Sequence, residues 1–334
     1  MLINLSFIRT TNGLFYFALD YIEALRDVTS VILVRTAEQA AVLDRRGFSA
    51  VTRLAGPVAA GCAVWRASRR GEMTFTPSPH PIPGCGKQLV VVHDTYPFEG
   101  RTGAVKTGLF ALAMRSARAH AGYINRSDAL AFLQRCGVPA TRRHATPNLV
   151  PTEQVTSRRG ALAVPARPAI GLFGTDSSKK NYAALFTALA ALPDAARLRL
   201  LLYGQPNPYV DGLVAAFPTL SIVVCDSRAH ELTSFIGAID ILASAASREG
   251  FSRPAALALA AGVPCWLVEA AVFREFYGEA AIFYADVNAL ADALVSALRP
   301  GAQVARPIFG LPAAMTDDYE ASIAWLRRED LRPT

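Results

Sequence analysis

The chain has 334 residues, of which 52% are hydrophobic and 18% charged, with a formal net charge of +7. That length accommodates two cores of about 100 to 200 residues each, and apolar residues spread throughout, with no low-complexity tract, exclude extended disorder. Five scattered cysteines without CxxC or Cys/His spacing exclude a disulfide framework and a structural zinc site, and the longest apolar window, Pro254 to Val268, is broken by Gly262 and Pro264 and is shorter than the roughly 20 residues of a membrane-crossing helix.

In chain order, MLINLSFIRT carries no basic stretch ahead of its apolar residues and reads as a first strand, Leu2 to Phe7, not as a signal peptide. With the cysteine usage this implies a cytoplasmic protein. Val31 to Val34 and Gln88 to His93 are further strands, and helical periodicity falls near Phe15 to Leu25, Ala37 to Arg45, Lys106 to Arg118 and Asp128 to Cys136. Pro147 to Pro168, rich in Pro, Ser, Thr and Arg, shows neither periodicity and is expected to be a linker, with a domain boundary near Val150 to Pro165. Beyond it the scheme repeats, with strands near Ala169 to Phe173, Leu198 to Tyr203, Ser221 to Cys225, Ile239 to Ala243 and Cys265 to Val268, each followed by a helix.

The expected fold class is therefore α/β, with two Rossmann-like doubly wound domains, residues 1–150 and 165–315, facing across a cleft. In such sheets a ligand lies beyond the carboxyl ends of the strands, so the segments that matter are Thr10 to Leu14, His93 to Glu99, Gly174 to Asn181, Gly204 to Asn207 and Ser244 to Pro254. Charge is uneven: 18 basic and 9 acidic residues precede Pro151, against 16 and 18 after it, which points to an anionic partner for the first half.

Three of these segments carry the chemistry. Arg248 to Ala281 reads REGFSRPAALALAAGVPCWLVEAAVFREFYGEAA, in which a Gly250, Phe251, Ser252 loop enters Pro254 at a helix start. Orphan N–H groups and the positive end of a helix there suit a diphosphate, and the Glu249 carboxylate can accept from hydroxyls, or can be a solvated loop residue. Arg253 adds charge beside the diphosphate or is itself solvated. GLFGTDSSKKNYAAL places Gly174 and Thr175 after a strand and Lys179 and Lys180 before a helix; QLVVVHDTYPF ends a strand on His93 and Asp94. Asp94 either lies toward the acceptor or caps the following turn.

These stretches resemble the large retaining glycosyltransferase family 4, which has the GT-B fold, and the similarity extends over nearly the whole chain. The first is similar to E-G-F-G-L-P-x-x-E-A-x-A-x-G-x-P followed by the V-F-R-E-x-x-G-x-A-A of a mannosyltransferase-like branch. The second is similar to G-T-x-x-x-R-K-N, and the third to V-H-D-x-x-P. The resemblance implies that Glu249 holds donor-sugar hydroxyls, Lys180 neutralises the departing diphosphate with Lys179 beside it, and His93 reaches the donor sugar. It implies donor contacts from Gly13, in the loop after the first strand, and from Gly174, Thr175, Gly250, Phe251, Ser252 and Arg253. It also implies that a final helix, within residues 316–334, returns to the first domain.

Three departures stand out. Leu257 occupies the place of a second glutamate that binds ribose hydroxyls, so another residue has taken over the ribose, the nucleotide is held more weakly, or donor binding is lost. Ser252 and Arg253 replace Gly and Leu, and Phe15 and Tyr16 replace a second glycine and an arginine.

The basic first domain is the expected acceptor side. Arg66, Arg69 and Arg70, and Lys106 to Arg118 with Leu109, Phe110 and Met114, suit an anionic membrane surface or a lipid-linked acceptor, or else are amphipathic helices with solvated charges. The resemblance implies front-face displacement, in which the leaving diphosphate assists the acceptor hydroxyl; no paired acid and base are placed for the hydrolase scheme, and with no Asp-x-Asp motif neither metal nor cofactor is expected. Nucleic acid is not an expected partner, since zinc-finger, RNP and helix-turn-helix signatures are lacking. The function expected is transfer of a hexose or deoxyhexose from a nucleotide sugar, GDP-mannose first, to a glycan or lipid-linked acceptor in bacterial surface-polysaccharide assembly. The alternative is a degenerate subunit that binds a sugar nucleotide or glycan and partners another transferase.

Overall fold

The computed structural model describes residues 1–54, 56–150, 161–163, 167–175, 178–246, 248–299 and 303–332. The chain divides into two compact units, Met1–Leu149 with Pro312–Thr334, and Val150–Leu311.

In the first unit the strands are β1 (Leu2–Asn4), β2 (Val31–Val34), β3 (Val51–Arg53), β4 (Thr74–Thr76), β5 (Gln88–Val92), β6 (Ala119–Tyr123) and β7 (Arg143–Ala145). They form one parallel sheet in the order β3-β2-β1-β4-β5-β6-β7. The helices are α1 (Gly13–Ala24), α2 (Ala37–Arg45), α3 (Pro57–Arg69), α4 (Gly103–Ala113) and α5 (Ala131–Arg135). β5 is buried along its whole length, as a central parallel strand covered on both faces must be, which is why it reads as an unbroken apolar run. The short strands β3, β4, β6 and β7 lacked a periodic signal of their own, and α3 is the amphipathic helix that was one reading of Arg66 to Arg70.

The second unit contains β8 (Ala161–Ala163), β9 (Ala169–Phe173), β10 (Arg199–Gly204), β11 (Ser221–Asp226), β12 (Ile241–Ser244), β13 (Cys265–Val268), β14 (Ile282–Tyr284) and β15 (Gln303–Ala305). Six of them form a parallel sheet in the order β11-β10-β9-β12-β13-β14, and β8 pairs antiparallel with β15. The helices are α6 (Tyr182–Ala190), α7 (Pro208–Ala216), α8 (Leu232–Ala238), α9 (Arg253–Ala260), α10 (Ala271–Tyr277) and α11 (Val287–Ser296). The last helix, α12 (Ala313–Leu331), belongs to the first unit. There Tyr319 donates to the Asp20 carbonyl (2.9 Å), Arg327 to the Ala24 carbonyl (2.8 Å), and Lys87 to the Glu329 carbonyl at the helix end (3.0 Å).

Some expected boundaries move for local reasons. The first strand stops at Asn4, not Phe7, because the Asn4 side chain accepts from the Ser6 N–H (3.2 Å) and hydroxyl (2.6 Å) and turns the chain. The helix expected at Lys106 to Arg118 is α4, ending at Ala113, and the one expected from Asp128 opens with a wide turn over Arg126–Leu130. Much of the expected linker lies outside the described residues, but 161–163 form the strand β8. Among the described residues no helix is long and apolar enough to cross a membrane.

Candidate functional site

Both large sheets have a strand order that reverses beside the first strand, so the crevice at the carboxyl ends opens between β1 and β4 in one unit and between β9 and β12 in the other. In the second unit the two loops at this point carry Lys180 and Glu249. The Lys180 ammonium is bonded to the Glu249 carboxylate, and both side chains are largely buried, at 16% and 9% exposure. Burial alone would raise the Glu249 pKa; Lys180, Lys179, the bond from Lys180 and the Gly250 N–H outweigh it and hold the carboxyl below its ordinary range.

The loops are shaped by their neighbours. Gly174 leaves β9 at φ 90°, a left-handed conformation that favours glycine. Thr175 is buried, its hydroxyl donating to the Gln205 carbonyl (2.6 Å), while the Asn207 amide donates to the Thr175 carbonyl (2.9 Å) and its oxygen caps α7 at Val210 N (3.1 Å). The β9 and β10 loops are thereby tied together. Lys179 and Lys180 lie in a single 3-10 turn, Ser178–Lys180, closed by Asn181 at φ 58° before α6 begins. Residues 176–177 are outside the described set.

On the β12 side, Phe251 is buried and Ser252 precedes α9 at φ 65°, left-handed for a non-glycine residue. That strain is held from below by Tyr277 of α10, whose fully buried hydroxyl donates to the carbonyls of Phe251 (2.6 Å) and Ser252 (3.1 Å). Arg253 and Pro254 occupy the first turn of α9, and no side-chain cap bond comes from Ser252, so this helix start presents its dipole at the loop. Glu249 lies five residues past the end of β12, in the loop and not at the strand end. Leu257 is 5% exposed within α9 and supplies no polar atom.

In the first unit His93 follows β5, with its ring edge-on to Phe17 of α1 at 4.5 Å. Asn125 donates to the His93 carbonyl (3.1 Å) and caps the next turn at Asp128 and Ala129 N, and Asp128 in turn accepts from Thr95 N and hydroxyl, both at 2.9 Å. Asp94 accepts from Tyr96 N (3.2 Å), the turn-capping bond that was one of its two readings. Gly13 opens α1, which is capped by Asn12; nothing lies within 4 Å of where a Cβ would sit, so the fold itself does not require glycine there. Phe15 is fully buried in α1 and Tyr16 is exposed.

His80, which sequence reasoning passed over, stacks on Phe7 at 4.6 Å beyond β4. Burial, Lys106 and Arg9 push its pKa down to about 4. Asn125, Asp128, Asn207 and Tyr277 were also missed; only Asn125 and Asn207 carried a readable signal, an asparagine at a helix start. Arg66 and Arg69 are not brought to these loops. They lie in the last turn of α3, and a helix crossing back between parallel strands ends at their amino ends. Among the described residues no cluster of three His, Cys, Asp or Glu side chains is placed to hold a metal ion.

Residues 167–299, which contain both Lys180 and Glu249, match the family model described as Glycosyl transferases group 1. No curated protein is significantly similar to the chain in sequence. Among solved structures, HepE of Anabaena, crystallised with UDP and glucose, superimposes with a TM-score of 0.71 at 14% identity over 98% of this chain and 96% of its own. Sucrose-phosphate synthase of Thermosynechococcus elongatus gives 0.65 at 16% identity over 99% and 96%. WaaG, a glycosyltransferase involved in lipopolysaccharide biosynthesis, gives 0.65 at 12% identity over 99% and 96%. The fold is the two-domain α/β fold of these proteins, GT-B.

Proposed function

We propose that this chain, a group 1 glycosyltransferase with the GT-B fold, transfers a hexose or deoxyhexose from a nucleotide sugar to a hydroxyl of a glycan or lipid-linked acceptor in bacterial surface-polysaccharide assembly. The observation that carries the reading is the buried Lys180–Glu249 pair at the strand-order reversal of the second unit, inside the segment matching the group 1 family. A diphosphate entering this crevice would share the Lys180 ammonium with Glu249 and meet Lys179 and the start of α9. Glu249 would then turn its oxygens to the sugar hydroxyls.

In the proposed reaction the bond from the anomeric carbon to the diphosphate oxygen breaks while the acceptor oxygen bonds the same carbon from the same face. The acceptor proton passes to the departing diphosphate, and the anomeric configuration is retained. Lys180 and Lys179 stabilise the negative charge that develops on that diphosphate, a contribution of a few kcal/mol for a preorganised cation, with no metal or cofactor in the scheme. His93 is the first unit's proposed contact with the donor sugar.

The VFRE stretch of α10 favours GDP-mannose, and the UDP-glucose complex of HepE makes UDP-sugars the competing choice. Thermal stabilisation across a panel of nucleotides and nucleotide sugars tests the reading, since a ligand at 100 times its Kd stabilises by about 2.7 kcal/mol. One clear hit, weakened in Lys180→Ala, supports it. A flat response from the folded protein counts against it.

A further inference from the structure

One face of the first unit carries exposed apolar and basic side chains outside the strand-end loops that hold the candidate site. In the parallel register Leu2 aligns with Thr74 and Thr74 with Gln88, so these residues, and Val90 and Val92 two and four places on, point to one face of the sheet. α3 packs on that face through Val64 and Ala67 against Leu2 and Leu33, and α4 packs on it through Phe110 and Met114 against Val90 and Val92. The two helices therefore cover the same side.

Their outward stripes are apolar. Val105, Leu109 and Leu112 follow each other at i, i+4 and i+7 on α4 and are 64%, 55% and 54% exposed; Val58 and Trp65 project from α3 at 79% and 44%. This corrects the sequence reading of α4, in which Phe110 and Met114 were grouped with the outer face: they are 1% and 2% exposed and form the core. Cations surround the stripes. Arg69 lies over the Trp65 ring at 3.9 Å, and Arg66, Arg101, Lys106 and Arg115 are exposed on or beside the two helices.

The charge on this side is predominantly positive, the nearest acids being Glu72, paired with Arg70 just past α3, and Glu99 in the turn before α4. Residues 100–127 contain five basic residues and no Asp or Glu, and residues 45–71 likewise contain no acid. Half of the acids of the unit lie on α1 and α12, on the other face, where Tyr21 meets Phe75 at 5.3 Å and Tyr319 at 4.9 Å. A face with aliphatic and tryptophan side chains ringed by arginine and lysine matches an anionic lipid surface, to which apolar burial and basic residues both contribute.

We propose that the α3 and α4 face docks the protein on an anionic bilayer. The inference deepens the reading of a lipid-linked acceptor but does not depend on which sugar is transferred. Co-sedimentation of the full chain with phosphatidylcholine vesicles, with and without phosphatidylglycerol, tests it. The expected result is binding that needs phosphatidylglycerol and weakens with salt, about fivefold loss for each of Lys106→Gln and Arg115→Gln, and a comparable loss for Leu109→Gln. Arg328→Gln on α12 should bind as the parent does. Unchanged circular dichroism and nucleotide-induced thermal stabilisation in the variants would separate a failure of docking from a failure of donor binding. Absence of vesicle binding at low salt, equal binding by all variants, or self-association through α4 without vesicle binding would overturn the proposal.

Discussion

Lys180 and Glu249 form an ion pair that is costly to break and cheap to replace as a whole. Lys180→Ala leaves a buried carboxylate without its main counter-charge, and the expected loss is about 3 to 5 kcal/mol of stability, read by chemical denaturation. Lys180→Met combined with Glu249→Leu removes both charges and should stay within about 1 to 2 kcal/mol of the parent while losing sugar transfer. The pH dependence has a definite sign. Because the folded Glu249 carboxyl titrates below its ordinary range, its contribution is complete above about pH 4.3 and is lost as pH falls through the depressed value. Glu249→Gln should remove that part of the acid loss. Each residue of the pair was legible through its own motif, but the pair was not: the partners are 69 positions apart and no spacing rule joins them. Ser252 could be seen as a replacement of glycine, but not the left-handed backbone it is forced to adopt.

The loop from Glu249 into α9 is held by α10. Tyr277→Phe deletes the hydroxyl that serves two carbonyls and should cost about 1 to 3 kcal/mol and weaken nucleotide binding. Ser252→Gly relieves the left-handed strain; after the entropy cost of glycine a net gain of about 0.5 to 1 kcal/mol is expected from thermal denaturation. No gain would mean that Ser252 is not strained. In the first unit, a Cβ on Gly103 would lie 2.1 Å from the Phe98 carbonyl, so Gly103→Ala should displace the turn that follows His93, where Phe98 stacks on Phe132 at 4.2 Å. Elements with a strong apolar run, such as β5 and β9, were legible in sequence. The direction in which α4 faces was not, because Val105, Leu109, Phe110, Leu112 and Met114 are all apolar and only the packing against Val90 and Val92 selects the inner pair.

Across the whole chain, two repeats of one strand order place His93, Gly174, Lys180 and Glu249 in loops that follow strands, which alternating strands and helices alone could locate, whereas Arg66 and Arg69 fall at the far end of α3. The return of α12 to the first unit has no counterpart in periodicity. Deleting residues 312–334 would expose Tyr21 and the end of α1, and limited proteolysis should then degrade the first unit while 167–299 persists. Acid should weaken the first unit by a second route. His80, His120 and His144 are neutral in the fold, burial lowering His80 and His144 to about 4, and the His120 and His144 rings are bonded at 2.9 Å beside Trp325. The unfolded chain takes up these protons from about pH 6.5, so stability should fall between roughly pH 6.5 and 4 and level off below, a loss reduced in His144→Gln. The crevice between β9 and β12 is the proposed binding site for the diphosphate of a nucleotide sugar, held through Lys180. Calorimetric titration of GDP and UDP into the parent and into the Lys180→Met, Glu249→Leu double variant tests it most directly. The expected result is saturable binding of at least one nucleotide by the parent and a loss of about a hundredfold or more in the variant, roughly 2.7 kcal/mol. Equal binding by both folded proteins would contradict it.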